Sequence, residues 1–544
     1  MRHPTALHAL SARSPLRKNA VAALALLVVA ACGDAGNDGS TASNANVSQL
    51  LSEPVAGVPA PVAAKPAVAA PVPEPAPPFP RPMTDDGLRP LLEAIALSYP
   101  FTRQLEAKEQ SGRVNALESA RIDANLDRAG RDLDRIMSNL GSLSRGGLPT
   151  YALIHNVRSD GVLRAWILGP DGYVVAGATT SPYVGLGALQ DGLGVDRIAA
   201  TRGPQLKGEE TQRLDADSDA DRGAGRRDNS PESIRKRRDV LAEAAAMLLP
   251  GDIRQVLAAG EGRLLVLPVR DTGTAPYAAL PIRNQDDFAA RRWSFVVMQD
   301  LSVLAGSDSG FDMGNVDLSK SVIVGDPADM RDVQYSFPAL PGARKEALAI
   351  AKQLGVDSRN VFIGADAKQK RVEAAINRSA GQGVIYMATH AVANPNNPLT
   401  RGFVVLDQKN WFAGEIRTAN FNGWSERPPL VVMSACQSAL GRVFEGGTFG
   451  IARTWTTAGA GQVVASLWNV SDLATYRLMT RFAAGLQQGK APELAMQAAQ
   501  LETIKDYPND PKMWASFTII GKPTIGGSLA SSAPARVTEQ EPAS

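Results

Sequence analysis

"PPLVVMSACQSALG", Pro428 to Gly441, drives four apolar residues into a small polar turn that carries Cys436. A short apolar run bounded by prolines on one side and Ser, Ala and Gly on the other reads as a strand buried on both faces. The chain has 544 residues and two cysteines, the other being Cys32 near the start. A sequence this sparing with thiols places one at the end of a buried strand.

The same pattern recurs around it. "RLLVLPV" (Arg263 to Val269), "SFVVMQDL" (Ser294 to Leu301), "SVIVGDP" (Ser321 to Pro327), "GVIYMATH" (Gly383 to His390) and "GQVVASLW" (Gly461 to Trp468) all read as buried strands. Amphipathic segments lie between several of them, including Ala343 to Leu354 and Lys368 to Ser379. Continuous apolar strands alternating with helices predict an α/β fold, a mostly parallel sheet covered by helices on both faces. In such sheets functional groups gather at the carboxyl ends of strands. "VIYMATH" delivers His390 to such an end and "LVVMSAC" delivers Cys436. An imidazole within reach can take a thiol proton and then stabilise the thiolate, so the pair supplies the minimum equipment of a cysteine nucleophile.

Composition limits the alternatives. The 57 basic and 55 acidic residues nearly cancel, so the whole-chain charge carries no footprint of nucleic-acid binding. Two cysteines exclude a cysteine-rich zinc site, and the only histidines are His3, His8, His155 and His390. A 44% hydrophobic, 21% charged chain of this length predicts an ordinary globular core divided into two to four domains.

The N-terminus reads as a targeting segment, residues 1–31. Arg13, Arg17 and Lys18 precede the apolar run Ala20 to Ala31, which is too short to span a membrane as a mature helix. "VAAC", Val29 to Cys32, resembles the lipobox of bacterial lipoproteins. That resemblance implies lipidation of Cys32, cleavage just before it, and an exported protein, with an ordinary secretory signal or a single membrane anchor as the alternatives. Gly33 after the cysteine leans toward the outer membrane, facing the periplasm or the cell surface. A lipidated Cys32 would leave Cys436 as the one thiol of the mature chain, without a disulfide partner.

Residues 32–85 are rich in Pro and Ala, a composition that favours extended polyproline II. At about 3 Å per residue such a tether reaches on the order of 100 Å. Residues 86–147 read as a helical prefix of two helices interrupted near Pro100 and packed on the next domain. "YALIHNV", "VLRAWIL" and "YVVAGAT" form a small β-meander separated by the turns "RSDG" and "GPDG", with His155 as a packed or edge residue of its first strand. Residues 203–238 are polar and highly charged, the pattern of a mobile insertion. Asp215, Asp217, Asp219 and Asp221 alternate as in calcium loops but lack the glycine and closing glutamate of an EF-hand. "RKRR", Arg235 to Arg238, is read as an accessible cleavage site whose processing activates the protein. A helix is expected over Val240 to Ala259, and residues 526–544 as a disordered tail.

"ATH" after one strand, "SACQSALG" after the next, "EGGTFGIARTWTTAGAGQVVASLWNVSD" and "DPKMWASFTIIG" resemble the CHAT domain family. These are caspase-like cysteine peptidases of the clan of separase, gingipain and clostripain. "LRAWILGPDG", "PYAALPI" and "FPALPGARKEALAIA" fit its N-terminal part, so the resemblance spans residues 148–525. It implies a caspase-like sheet, His390 and Cys436 as catalytic dyad, peptide-bond hydrolysis through an acyl-enzyme, and no cofactor or metal. Backbone N–H groups of Cys436 and Ala391 would hold the oxyanion. Most relatives carry His-Gly where this chain has His390-Ala391, so a backbone angle that demands glycine would be strained here. Clan relatives often cut after basic residues, for which Glu445 and Asp472 are the candidate acidic pocket, or else structural anchors. The expected partners are a protein substrate or regulatory protein and the membrane, not nucleic acid. An inactive relative serving as a protein-binding module, and an acyltransferase with an amine acceptor, are the alternatives to the peptidase.

Overall fold

The computed structural model describes residues 85–98, 115–145, 147–157, 160–172, 174–193, 205–206, 230–299, 301–306, 310–444 and 446–525. Cys32, Asp215, Asp217, Asp219 and Asp221 lie outside the described residues, as does Glu445. Eleven strands form one sheet: β1 (Thr150–Val157), β2 (Val162–Leu168), β3 (Val174–Pro182), β4 (Gly262–Leu267), β5 (Trp293–Val297), β6 (Val322–Pro327), β7 (Val361–Gly364), β8 (Val384–Ala388), β9 (Leu430–Ser434), β10 (Gln462–Ser466) and β11 (Phe517–Gly521). Their spatial order is β7-β6-β8-β9-β10-β11-β5-β4-β1-β2-β3. Eight helices of eight residues or more are described: α1 (Asp85–Ser98), α2 (Asn115–Ser144), α3 (Pro231–Leu248), α4 (Asp252–Ala259), α5 (Pro341–Leu354), α6 (Gln369–Ser379), α7 (Asp472–Gln487) and α8 (Pro492–Asp506).

All six apolar runs expected to be buried strands belong to this sheet. Neighbours β7, β6, β8, β9 and β10 run parallel, as do β11, β5, β4 and β1. The two blocks meet antiparallel at β10 and β11. Pairing of β1 with β4, Thr150 to Ile154 against Arg263 to Leu267, makes the meander one edge of the main sheet.

Alternation along the strands sorts the core into two layers. Ile385, Met387, Val431 and Met433 face one way, against α3, α4, α6 and Trp455. Val384, Tyr386, Ala388, Val432 and Cys436 face the other, toward α1, α2, α5, α7 and α8. Both faces are thus covered, which is why the strands contain no polar alternation. The two prefix helices join the second layer: Leu91, Ile95, Ile136 and Leu140 are buried with Ala152 and Ile154 of β1. Burying each such side chain contributes about 1.5–3 kcal/mol before the cost of ordering it. Among the described residues, no helix is long and apolar enough to cross a membrane.

Two local expectations are corrected. The helix expected over Val240 to Ala259 is two helices, because Pro250 cannot continue an α-helix and Gly251 adopts φ 56°. The basic run Arg235 to Arg238 belongs to α3, not to a loop. Arg237 is buried there and donates from Nε to the carbonyl of Asn509 at 3.0 Å, while Arg238 pairs with Asp286 at 2.6 Å. Proteases require an extended segment, so this hydrogen-bonded turn of helix is a poor cleavage site. His155 is a packed core residue, its Nε2 lying 2.8 Å from the carbonyl of Leu248.

Candidate functional site

Parallel pairing of β8 with β9 runs from Val384–Leu430 to Ala388–Ser434. His390 and Cys436 each stand two residues beyond that last pair, so the register brings both to the same level of the same sheet edge. From there the two chains diverge. Val405 N–H donates to the His390 carbonyl at 2.9 Å, and Ala391 and Val392 pair antiparallel with Val404 and Phe403. Ala391 is extended, and its φ lies outside the left-handed region that favours glycine. Ala391 is therefore accommodated without the backbone strain that a position demanding glycine would have imposed.

On the other side, residues 435–439 form a tight turn stitched to the end of β10. Ser466 N–H donates to Ser438 Oγ at 2.8 Å, Ala439 N–H donates to the Ser466 carbonyl at 2.9 Å, and Gln437 N–H donates to the Trp468 carbonyl at 3.2 Å. Gln437 takes φ 55°, a left-handed conformation uncommon for a residue with a side chain. Val470 N–H donates to Cys436 Sγ at 3.2 Å, which fixes the direction of the thiol.

His390 is held by the loop that opens the stretch "FPALPGARKEALAIA", to which the sequence alone assigned no role at the site. Its Nε2 lies 2.8 Å from the Pro338 carbonyl, and the Phe337 ring packs on it at 5.1 Å between centroids. A carbonyl can only accept, so this contact puts the proton of a neutral ring on Nε2 and leaves Nδ1 with the lone pair. Asp326 at the end of β6 fixes the loop, accepting the Leu340 N–H at 2.9 Å and lying 3.6 Å from Arg344. The side chains of both His390 and Cys436 are fully buried in this conformation.

Directly beneath lies Glu346 of α5, 0% exposed. Its Oε1 accepts the Tyr386 hydroxyl at 2.7 Å and the Ser434 hydroxyl at 2.6 Å. A signal for it was present in the sequence. Ala343, Glu346, Ala347, Ile350 and Leu354 share the buried stripe of α5, which therefore carries a carboxylate in an otherwise apolar face.

Of the two acidic pocket candidates, only Asp472 can be placed. It is the first residue of α7, and its carboxylate lies so close to Gly342 that a β-carbon there would overlap it. Gly342 is in the first turn of α5, so a negative charge sits at the positive end of that helix.

The fold and these strand ends define a mostly parallel α/β protein that carries a histidine and a cysteine at corresponding positions beyond two neighbouring strands. Residues 238–522, just over half of the chain, match the CHAT domain, and the chain belongs to that family. No curated protein matches the chain. Among solved structures it is similar to the Arg specific cysteine proteinase gingipain R of Porphyromonas gingivalis, at 10% identity and TM-score 0.31, over 54% of this chain and 68% of that one. It is also similar to separase in the Saccharomyces cerevisiae separase–securin complex, at 10% identity and TM-score 0.43, over 80% of this chain. The match spans 34% of the separase chain.

Proposed function

We propose that this chain is a cysteine endopeptidase, tethered to a membrane through Cys32 and acting through Cys436 and His390. The observation that carries the reading is the shared register of the two residues on neighbouring parallel strands. His390, held at Nε2 by Pro338, takes the thiol proton at Nδ1. Cys436 Sγ attacks the peptide carbonyl, and the Sγ–C bond forms as the carbonyl π pair moves to oxygen. Backbone N–H groups of Cys436 and Ala391 receive that oxyanion. Collapse breaks the C–N bond, with His390 protonating the departing amine. Water, deprotonated by His390, then hydrolyses the thioester and restores the thiol. Because both side chains are buried, substrate entry requires a local opening around the dyad that leaves the Pro338 contact in place. The N-terminal pattern ending at Cys32 supports export as a lipoprotein, outer membrane facing the periplasm, with a protein as substrate.

Full burial also favours a second reading, in which the closed dyad is silent and the domain binds a regulatory protein. A peptide library digested by the full chain, beside Cys436→Ala and His390→Ala, separates them. Cleavage by the wild type that both variants lose supports the peptidase. Wild-type and Cys436→Ala profiles that coincide overturn it.

A further inference from the structure

Three buried polar groups at the heart of the second core layer need an explanation that packing does not supply. Glu346, Tyr386 and Ser434 are each at most 1% exposed, and two hydroxyls converge on one carboxylate oxygen. An apolar trio of similar volume would fill the same space without the desolvation of a carboxylate. Position gives the reason. Tyr386 lies on β8, four residues before His390, and Ser434 on β9, two residues before Cys436. The strands stop pairing at Ala388 and Ser434, so the carboxylate ties them together immediately below the point where they part. The same helix begins three residues after Pro338, whose carbonyl orients the imidazole.

We propose that Glu346 is a positioning residue for the dyad. By bridging the two strands from beneath, it sets the separation of His390 and Cys436, and through the body of α5 it references that separation to the loop holding His390. A hydroxyl–carboxylate–hydroxyl bridge resists the sliding and splaying that an apolar contact permits, because hydrogen bonds are directional. The inference rests on the dyad reading and extends it to a residue that touches neither substrate nor the reacting atoms.

The test uses the full chain with Glu346→Leu, Glu346→Gln, and Tyr386→Phe combined with Ser434→Ala. Two readouts are taken: the KM-against-kcat split on a peptide substrate, and the pH profile of Cys436 alkylation by iodoacetamide, followed by mass spectrometry of its tryptic peptide. Glu346→Leu is expected to lower kcat by about 10-fold to 100-fold with little change in KM, as misplacement of reacting groups does. Its alkylation profile should move to higher pH, and Glu346→Gln, which keeps an acceptor, should restore much of both. If Glu346→Leu does not fold, the Tyr386→Phe/Ser434→Ala double variant removes the same two bonds from the strand side. A folded variant with wild-type kcat and alkylation profile overturns the proposal. Cys436→Ala and His390→Ala distinguish the two levels: their loss of cleavage with an unaffected double variant sinks the positioning role alone. A wild-type alkylation profile that His390→Ala leaves unchanged removes the dyad, and this inference with it.

Discussion

Nε2 of His390 meets the carbonyl oxygen of Pro338 at 2.8 Å, across 52 residues of sequence. A main-chain atom thus decides which ring nitrogen keeps its lone pair, and the loop bearing that atom is itself held by Asp326. Asp326 has φ 42°, a left-handed conformation that Asn adopts more readily than Ala, and its carboxylate is also the acceptor that Ala would remove. Asp326→Ala should therefore lower kcat by about 10-fold, while Asp326→Asn stays close to wild type. Steady-state kinetics of the two purified variants on one peptide decide it, and equal rates would show that the loop needs no such anchor.

Gln437, next to Cys436, offers a sharper backbone test at φ 55°. Glycine suits that conformation, whereas a β-branched residue opposes it by about 1–2 kcal/mol. Gln437→Gly should keep Cys436 alkylation at the wild-type rate, and Gln437→Val should be less stable in urea and slower in cleavage.

His155 predicts a pH dependence of stability unrelated to catalysis. Burial lowers its pKa to about 4, partly offset by its hydrogen bond to the Leu248 carbonyl. Between about 4 and the unfolded value near 6.5, the unfolded chain binds a proton that the folded one refuses. This contribution to stability is complete above that upper value and is lost as pH falls toward 4, on the order of 3 kcal/mol in all. Urea midpoints at pH 7 and pH 5 should differ less in His155→Phe than in the wild type. An identical difference in both would place the acid sensitivity elsewhere.

Arg263 and Glu493 form an ion pair at 2.7 Å with both side chains fully buried. Arg263 also donates to the Thr524 carbonyl and the Thr150 hydroxyl, and Glu493 accepts from the Thr524 hydroxyl. Removing either partner alone leaves a buried charge, so Arg263→Met or Glu493→Leu should cost about 3–5 kcal/mol. The double variant should recover most of that loss by equilibrium unfolding. Additive costs would show that the two groups act independently.

Strands were legible in this sequence because both faces are covered, which leaves continuous apolar runs such as "LVVMSAC" and "VIYMATH". The residues at their ends could be read for the same reason, since a reactive side chain terminating an apolar run stands out. Long-range pairing could not be read: nothing local in "YALIHNV" says that β1 will lie beside β4, or that β11 will run against its neighbour β10. Pro338 was invisible because it acts through a carbonyl that every residue possesses. Arg237 misled, since charge predicts exposure only until the guanidinium finds a buried acceptor, here the carbonyl of Asn509.

Strand β11, Phe517–Gly521, is the last strand of the sheet in sequence yet stands between β10 and β5. During synthesis, every element that places His390 and Cys436 leaves the ribosome before the strand that joins their half of the sheet to the other. A nascent chain therefore holds both reactive groups for some time without the keystone that unites the two halves. A chain that ends before Phe517 would keep both strand ends but lack the strand that joins the two halves of the sheet.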